Sequence, residues 1–249
     1  MDRTLIDNLN YSTFLSIDDG KSSGSGFFIS QGDIDYLVTA YHVLFNDANE
    51  LLGNTLLFTT QGNDDDIENS TMIETQLSSV EVLVDIDNDL AVIPIGDING
   101  KSLNDNFEFS KDPVTEILAF DKNNIQKLEN VSLANEVFLI GFPTSLIYQD
   151  SKHFSPSKPI LRKGIIAAIN NTEKNIIIDC SAYYGNSGAP ILEVCNDNSL
   201  KIIGVVSKYI PFVIEWRNNR ESSITHPEFL NSGYSVCIPI DFVMNLIEG

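Results

Sequence analysis

The sequence predicts an all-β protein, and three observations carry that expectation. Apolar runs of strand length recur along the whole chain, Gly, Asn and Asp separate them, and almost nowhere does the spacing become helical. The 249 residues are ample for one large β unit, or two packed small ones, with a sizeable core.

Taken in order, a short helix is expected around residues 2–9. Strands are then expected at 26–29, 36–39, 55–58, 80–84 and 90–93. The second half repeats the habit at 136–140, 164–169, 175–179, 189–194, 201–207 and 234–239. Many short strands punctuated by turns indicate a sandwich or a barrel. Residues 61–70 carry three consecutive aspartates and almost nothing apolar, so they read as a loop. Residues 97–113, rich in Asn, Asp and Lys, read as an excursion near the middle. The stretch 210–233 mixes aromatic and charged residues and fits no element. Helical periodicity is best at 240–248, just after Pro239.

Composition narrows the function classes. With 43% hydrophobic and 20% charged residues, the chain has the profile of a globular protein. A formal charge of −20 argues against nucleic-acid binding and against an anionic membrane surface, since both need basic patches. No apolar run reaches the roughly 18 residues of a spanning helix, and the N-terminus has no cleavable apolar stretch. Cys180, Cys195 and Cys237 make an odd count without C-x-x-C spacing, which points to reduced thiols in a cytoplasmic protein and to no metal site. Gly20-Lys21-Ser22 ends like a phosphate-binding loop, but Leu15 stands where that loop needs glycine. Asp85, Asp87 and Asp89 alternate like the start of a calcium loop, but Leu90 and Gly96 occupy the places of its glycine and glutamate. Neither a nucleotide nor a calcium ion is expected.

Three segments carry chemistry. Val38-Thr39-Ala40-Tyr41-His42-Val43 is a strand ending in a histidine, and Asn88-Asp89-Leu90-Ala91-Val92-Ile93 is an aspartate feeding a buried strand. Gly185-Asn186-Ser187-Gly188-Ala189-Pro190 sets a serine between glycines. A serine hydroxyl is a weak nucleophile near neutral pH and needs an imidazole to take its proton. That imidazole needs a carboxylate on its other nitrogen to fix its tautomer. Glycines beside the serine let the backbone turn sharply and aim N–H groups at a developing oxyanion. His153 and His226 lack such surroundings and read as surface residues.

The order His42, Asp89, Ser187, with these flanking segments, resembles the chymotrypsin-like serine peptidases, nearest to the HtrA/Deg-type bacterial branch. The resemblance spans roughly 24–240: Gly24-Ser25-Gly26-Phe27-Phe28-Ile29 looks like the family's early strand and Gly204-Val205-Val206-Ser207 like its substrate-pairing strand. It implies two six-stranded antiparallel β-barrels, about 11–120 and 130–240, closed by a C-terminal helix at 240–248. It also implies a single cofactor-free peptidase domain without a PDZ-like unit.

By the same resemblance Ser187 is the nucleophile, His42 the base and Asp89 its orienting carboxylate. The oxyanion donors are the N–H groups of Gly185 and Ser187. Ser181 lies at the floor of the primary pocket, and Ser207, Lys208, Tyr209 and Gly233 form its walls. With no acid at Ser181 and no histidine at Val206, the expected residue before the scissile bond is small or medium and uncharged. Asn186 stands where zymogen-activated members carry aspartate, so activation by N-terminal cleavage is not expected. The substrate is a protein or peptide. An activating or companion protein is the expected means of restraint inside a cell, and Trp216, Arg217 and Arg220 are candidate contacts for a partner or for the substrate. The rival reading is a protease fold that binds a partner without cutting it.

Overall fold

The computed structural model describes residues 9–60, 71–100, 102–111, 117–147, 152–154, 158–217 and 225–249. Its first sheet contains β1 Ser12–Ile17, β2 Ser22–Gln31, β3 Ile34–Ala40, β4 Thr55–Thr60 and β5 Thr71–Gln76. It continues with β6 Leu83–Asp85, β7 Leu90–Asp97, β8 Ser102–Leu103, β9 Phe107–Lys111 and β10 Ala119–Phe120. The second contains β11 Glu136–Gly141, β12 Ile160–Asn170, β13 Asn175–Asp179, β14 Pro190–Val194, β15 Leu200–Arg217 and β16 Thr225–Pro239. A helix, Ile240–Glu248, ends the chain as expected.

The second sheet closes into a six-stranded barrel in the order β11-β12-β13-β16-β15-β14. The first differs from the expected six. Its body is the run β7-β3-β2-β1-β4-β5, and four short strands add to it: β6 on β7, β9 on β5, β10 on β2 and β8 on β7. Among the described residues it does not close. Two of the added strands explain why 97–113 is not a bare excursion. Phe107 and Phe109 alternate toward the first core, and that burial draws β9 into pairing with β5. Conversely, only Leu83 and Val84 of the expected strand at 80–84 are paired, in β6, while Val80 and Val82 pack on the core from unpaired backbone. The helix expected at 2–9 and the loop at 61–70 lie outside the described residues, apart from Leu9, which opens a 3-10 turn. Of the unassigned stretch 210–233, residues 210–217 and 225–233 belong to a long ribbon, the outer halves of β15 and β16, and 218–224 lie outside the described residues.

Strand periodicity distributes the side chains among three cores. In β2, Phe28 faces the first core while Phe27 and Ile29 face the interface between the sheets. In β7, Ala91, Ile93 and Ile95 point inward while Leu90 and Val92 point to the same interface. From the second barrel, Phe138, Ile140, Leu192, Ile202 and Val205 meet them there, with Ile240 and Val243 of the helix. A third cluster, including Leu139, Ile178, Ile191 and Ile203, fills the second barrel. A one-residue slip in β2 or β7 would exchange the contents of two cores, so the register is strongly specified. Each fully buried Leu, Ile or Phe contributes roughly 1.5–3 kcal/mol, and this shared core fixes one sheet against the other. The residues of interest lie at that junction.

Candidate active site

His42 does not sit in the strand itself. β3 ends at Ala40, and the chain makes one helical turn, Tyr41–Leu44, whose Tyr41, Val43 and Leu44 are buried and whose His42 points out. Tyr41 stacks on Phe45 at 4.5 Å between ring centroids, which holds the turn from behind. Asp89 reaches it from the tight turn ahead of β7, in a left-handed conformation at φ 55°. Such a φ is uncommon outside glycine but open to Asp and Asn. The turn is braced by Asn88, which bonds the Asp85 carboxylate through its backbone N–H and its side chain.

That geometry lets Asp89 hold the histidine at several points. Its backbone carbonyl accepts from Tyr41 N–H at 3.0 Å, and Oδ1 accepts from His42 N–H at 3.0 Å. Both carboxylate oxygens lie 2.9 Å from His42 Nδ1. On the other side of the ring, His42 Nε2 stands 2.8 Å from Ser187 Oγ. The carboxylate, imidazole and hydroxyl therefore form one hydrogen-bonded line across the two sheets. His42 is 48% exposed and Asp89 25%, so the imidazole is reachable while its carboxylate is partly shielded. Ser207, expected as a pocket wall, has a further part: its hydroxyl donates to Asp89 Oδ2 at 2.5 Å. Its carbonyl lies 3.3 Å from Ser187 Oγ.

The loop carrying Ser187 depends on two glycines. Gly185 (φ 96°) and Gly188 (φ 84°) are both left-handed. A Cβ on Gly185 would stand 2.2 Å from Phe142 O, and one on Gly188 would stand 2.1 Å from Ser25 O. Asn186, Gly188 and Ala189 each donate their N–H to a backbone carbonyl: Tyr183, Val206 and Asn186 respectively. Gly185 and Ser187 N–H donate to no carbonyl among the described residues. These are the two donors expected for an oxyanion. Asn186 is fully buried, and its Oδ1 accepts from Tyr183 N–H at 2.9 Å, so the loop is tied to itself at this position.

Sequence reasoning missed Ser25 and Tyr184. Ser25, buried in β2, donates from Oγ to Gly185 O and accepts from Phe142 N–H, while its own N–H bonds Ser187 O. The only hint was a small polar residue between Gly24 and Gly26. Tyr184, 70% exposed, meets Tyr209 edge-on at 6.1 Å between centroids. A hydrogen bond that the Tyr209 hydroxyl gives to Tyr184 pushes the Tyr209 phenol above its ordinary range. This pair lines a cleft of about 160 Å³ together with His42, Ala182, Tyr183, Ser187, Val206, Ser207 and Lys208. Ser181 and Gly233 are not on that lining; they lie beside each other, with 3.8 Å between Ser181 Oγ and a Cβ built on Gly233. Arg217 and Arg220 carry no described side chain. Among the described residues no cluster of His, Cys, Asp and Glu is arranged to hold a metal ion.

The trypsin-like peptidase domain model matches residues 24–205, which include all three members of the line. The chain belongs to the trypsin-like peptidase family. This trypsin-like peptidase is similar in fold to the serine endoprotease from Yersinia pestis, at 17% identity and TM-score 0.57 over 96% of this chain and 62% of that one. It is similar to the HtrA-type protease AlgW with a tripeptide, at 16% identity and TM-score 0.57 over 98% of this chain and 62% of that one. Deg5 matches at 19% identity and TM-score 0.53 over 96% of this chain and 90% of that one. The peptidase thus spans about 62% of the length of the first two. No curated protein matches its sequence. No helix among the described residues is long and apolar enough to cross a membrane.

Proposed function

We propose that the chain is a serine endopeptidase that hydrolyses peptide bonds through an acyl-enzyme on Ser187. The observation that carries this is the unbroken line from Asp89 through His42 to Ser187, at 2.9 and 2.8 Å. In this reading His42 takes the Ser187 proton as Oγ attacks the scissile carbonyl, then gives it to the leaving amine. Asp89 keeps the proton-bearing Nδ1 turned toward itself and stabilises the imidazolium. The N–H groups of Gly185 and Ser187, without a backbone acceptor among the described residues, would receive the oxyanion, where one such donor is worth about 100–1,000-fold in rate. Water, activated by the same imidazole, then releases the acyl group. The reaction calls on no cofactor.

The narrow cleft and the absence of an acid at Ser181 support a small or medium uncharged residue before the scissile bond. Cys180, Cys195 and Cys237 are all free thiols, which supports work in a reducing, cytoplasmic compartment. There the enzyme would act on a companion protein, and a partner would control it through access to the cleft, whose lining includes the exposed Tyr184 in edge-on contact with Tyr209.

The test is digestion of a proteome-derived peptide library, with new termini read by mass spectrometry. Cuts following small or medium uncharged residues, absent with Ser187→Ala, are expected. No cuts by a folded enzyme, or equal cuts by the variant, would leave the fold as a binding module. Cuts after Lys or Arg would overturn the pocket assignment.

A further inference from the structure

Strand β15 does not stop at the cleft. Up to Val205 it pairs with β14 on one side and β16 on the other, but from Ser207 to Arg217 only β16 lies beside it among the described residues. This edge, which no second described strand covers, begins beside the nucleophile, where Ser207 O meets Ser187 Oγ. Beyond Tyr209 the strand runs on from Ile210 to Arg217, a reach of about 26 Å at the ordinary rise of a strand.

The side chains along this ribbon are not those of a solvated hairpin. Phe212 stands opposite Leu230 and Trp216 opposite His226 on one face, and Val213 opposite Phe229 on the other. Phe212, Trp216 and Phe229 are 58%, 59% and 59% exposed. Trp216 is nonetheless held in place, its Nε1–H donating to Glu228 at 2.7 Å across the ribbon. A two-stranded ribbon has no further layer to bury its apolar faces, and an unpaired apolar edge is a template for another strand. Charge narrows the occupant. Residues 208–234 contain three basic residues, Lys208, Arg217 and Arg220, against three acidic ones, Glu215, Glu221 and Glu228. The whole net charge of −20 therefore lies on the rest of the chain. A second copy of the molecule would bring that like charge with it, whereas a neutral or basic strand would not.

We propose that the ribbon beyond Tyr209 is a docking rail for an extended, apolar, non-acidic stretch of the substrate polypeptide. The stretch would pair along the free edge of β15, with Phe212 and Trp216 as anchors. This rests on the peptidase reading, which already uses Ser207 to Tyr209; the rail adds a site outside the cleft. It selects unfolded polypeptides, because a folded one cannot supply a bare strand some 26 Å long.

The probe is reduced and carboxamidomethylated lysozyme, an unfolded basic polypeptide, with native lysozyme as control. Fluorescence anisotropy with the non-cutting Ser187→Ala chain should report binding of the unfolded probe only. Adding Phe212→Ser and Trp216→Ser should weaken it about 10-fold or more, as for loss of aromatic anchors. Both positions are exposed, so circular dichroism should be unchanged. Fluorophosphonate labelling of an otherwise wild-type Phe212→Ser/Trp216→Ser chain should also match the parent. Equal binding with and without the substitutions would overturn the rail. So would a dimer, seen by sedimentation, that the same substitutions dissolve, because the edge would then belong to a second copy. Loss of labelling in the parent would count against the peptidase reading alone, since the anisotropy measurement needs no catalysis.

Discussion

The Ser25 hydroxyl donates a 2.7 Å hydrogen bond to the carbonyl of Gly185, joining a strand of the first sheet to the loop that carries Ser187. The same oxygen accepts from Phe142 N–H at 2.9 Å, and Ser25 N–H bonds Ser187 O at 2.9 Å. One buried side chain thus fixes the backbone on which both expected oxyanion donors sit.

Ser25→Ala would leave Gly185 O and Phe142 N–H unpaired in a buried place, a cost of about 1–3 kcal/mol for each group. The expected outcome is a fall in kcat of about 10-fold or more with KM little changed, because the orientation of the donors matters in the transition state. Steady-state kinetics on a peptide substrate checks it. A rise in KM alone would assign Ser25 to substrate binding instead.

Asp89 is held by Ser207 on one side and holds His42 on the other. Asp89→Asn presents an amide to Nδ1 and favours the wrong tautomer, and kcat should drop by about 10,000-fold. Ser207→Ala removes one bond to a charged group and should cost about 10- to 150-fold, in line with about 1.5–3 kcal/mol for such a bond. Comparing the two variants under the same conditions tests the ranking.

Tyr184 and Tyr209 meet edge-on on the lining of the cleft. Tyr209→Ala opens it, and the preferred residue before the scissile bond should shift toward larger apolar side chains. One added methylene in an apolar pocket is worth roughly 10–200-fold in discrimination, so the shift in kcat/KM is measurable with matched peptides. An unchanged preference would place the limit at another lining residue, such as Ala182 or Val206.

How legible all this was depended on where the physical constraint is local. The expected strands at 26–29, 36–39 and 90–93 are buried on both faces, so every residue there is apolar or small and the signal is dense. β1, Ser12–Ile17, and β5, Thr71–Gln76, were missed because half or more of their residues are polar, some of them satisfied by neighbours, as with Thr13 bonding Thr59 O and Thr75 bonding Asn106 O. His42, Asp89 and Ser187 could be named because each has a distinctive local sequence. Ser25 is 160 positions from Gly185, and no local pattern reports a bond made only after two sheets pack. The ribbon at 210–233 escaped assignment because a two-stranded extension with exposed aromatics on both faces follows neither a buried nor an alternating pattern.

The thiols give a pH prediction. Burial pushes the Cys180 thiol up to about 11, and burial pushes Cys237 up further still. At pH 8 both should react with a disulfide reagent at least about 100-fold more slowly in the folded chain than in urea, since thiolate is the reactive form. The half-buried Cys195 should react first. Stability should decline as pH rises above about 9, because the unfolded chain releases protons that the folded chain retains. Equal rates for all three thiols in the folded chain would contradict this.

The central claim is that Ser187 is a nucleophile activated by His42, and intact-mass analysis after treatment with a fluorophosphonate tests it most directly. The expected result is a single adduct mapped to Ser187, absent in Ser187→Ala and strongly slowed in His42→Ala. A folded chain that takes no adduct, or takes one that persists in Ser187→Ala, would contradict it.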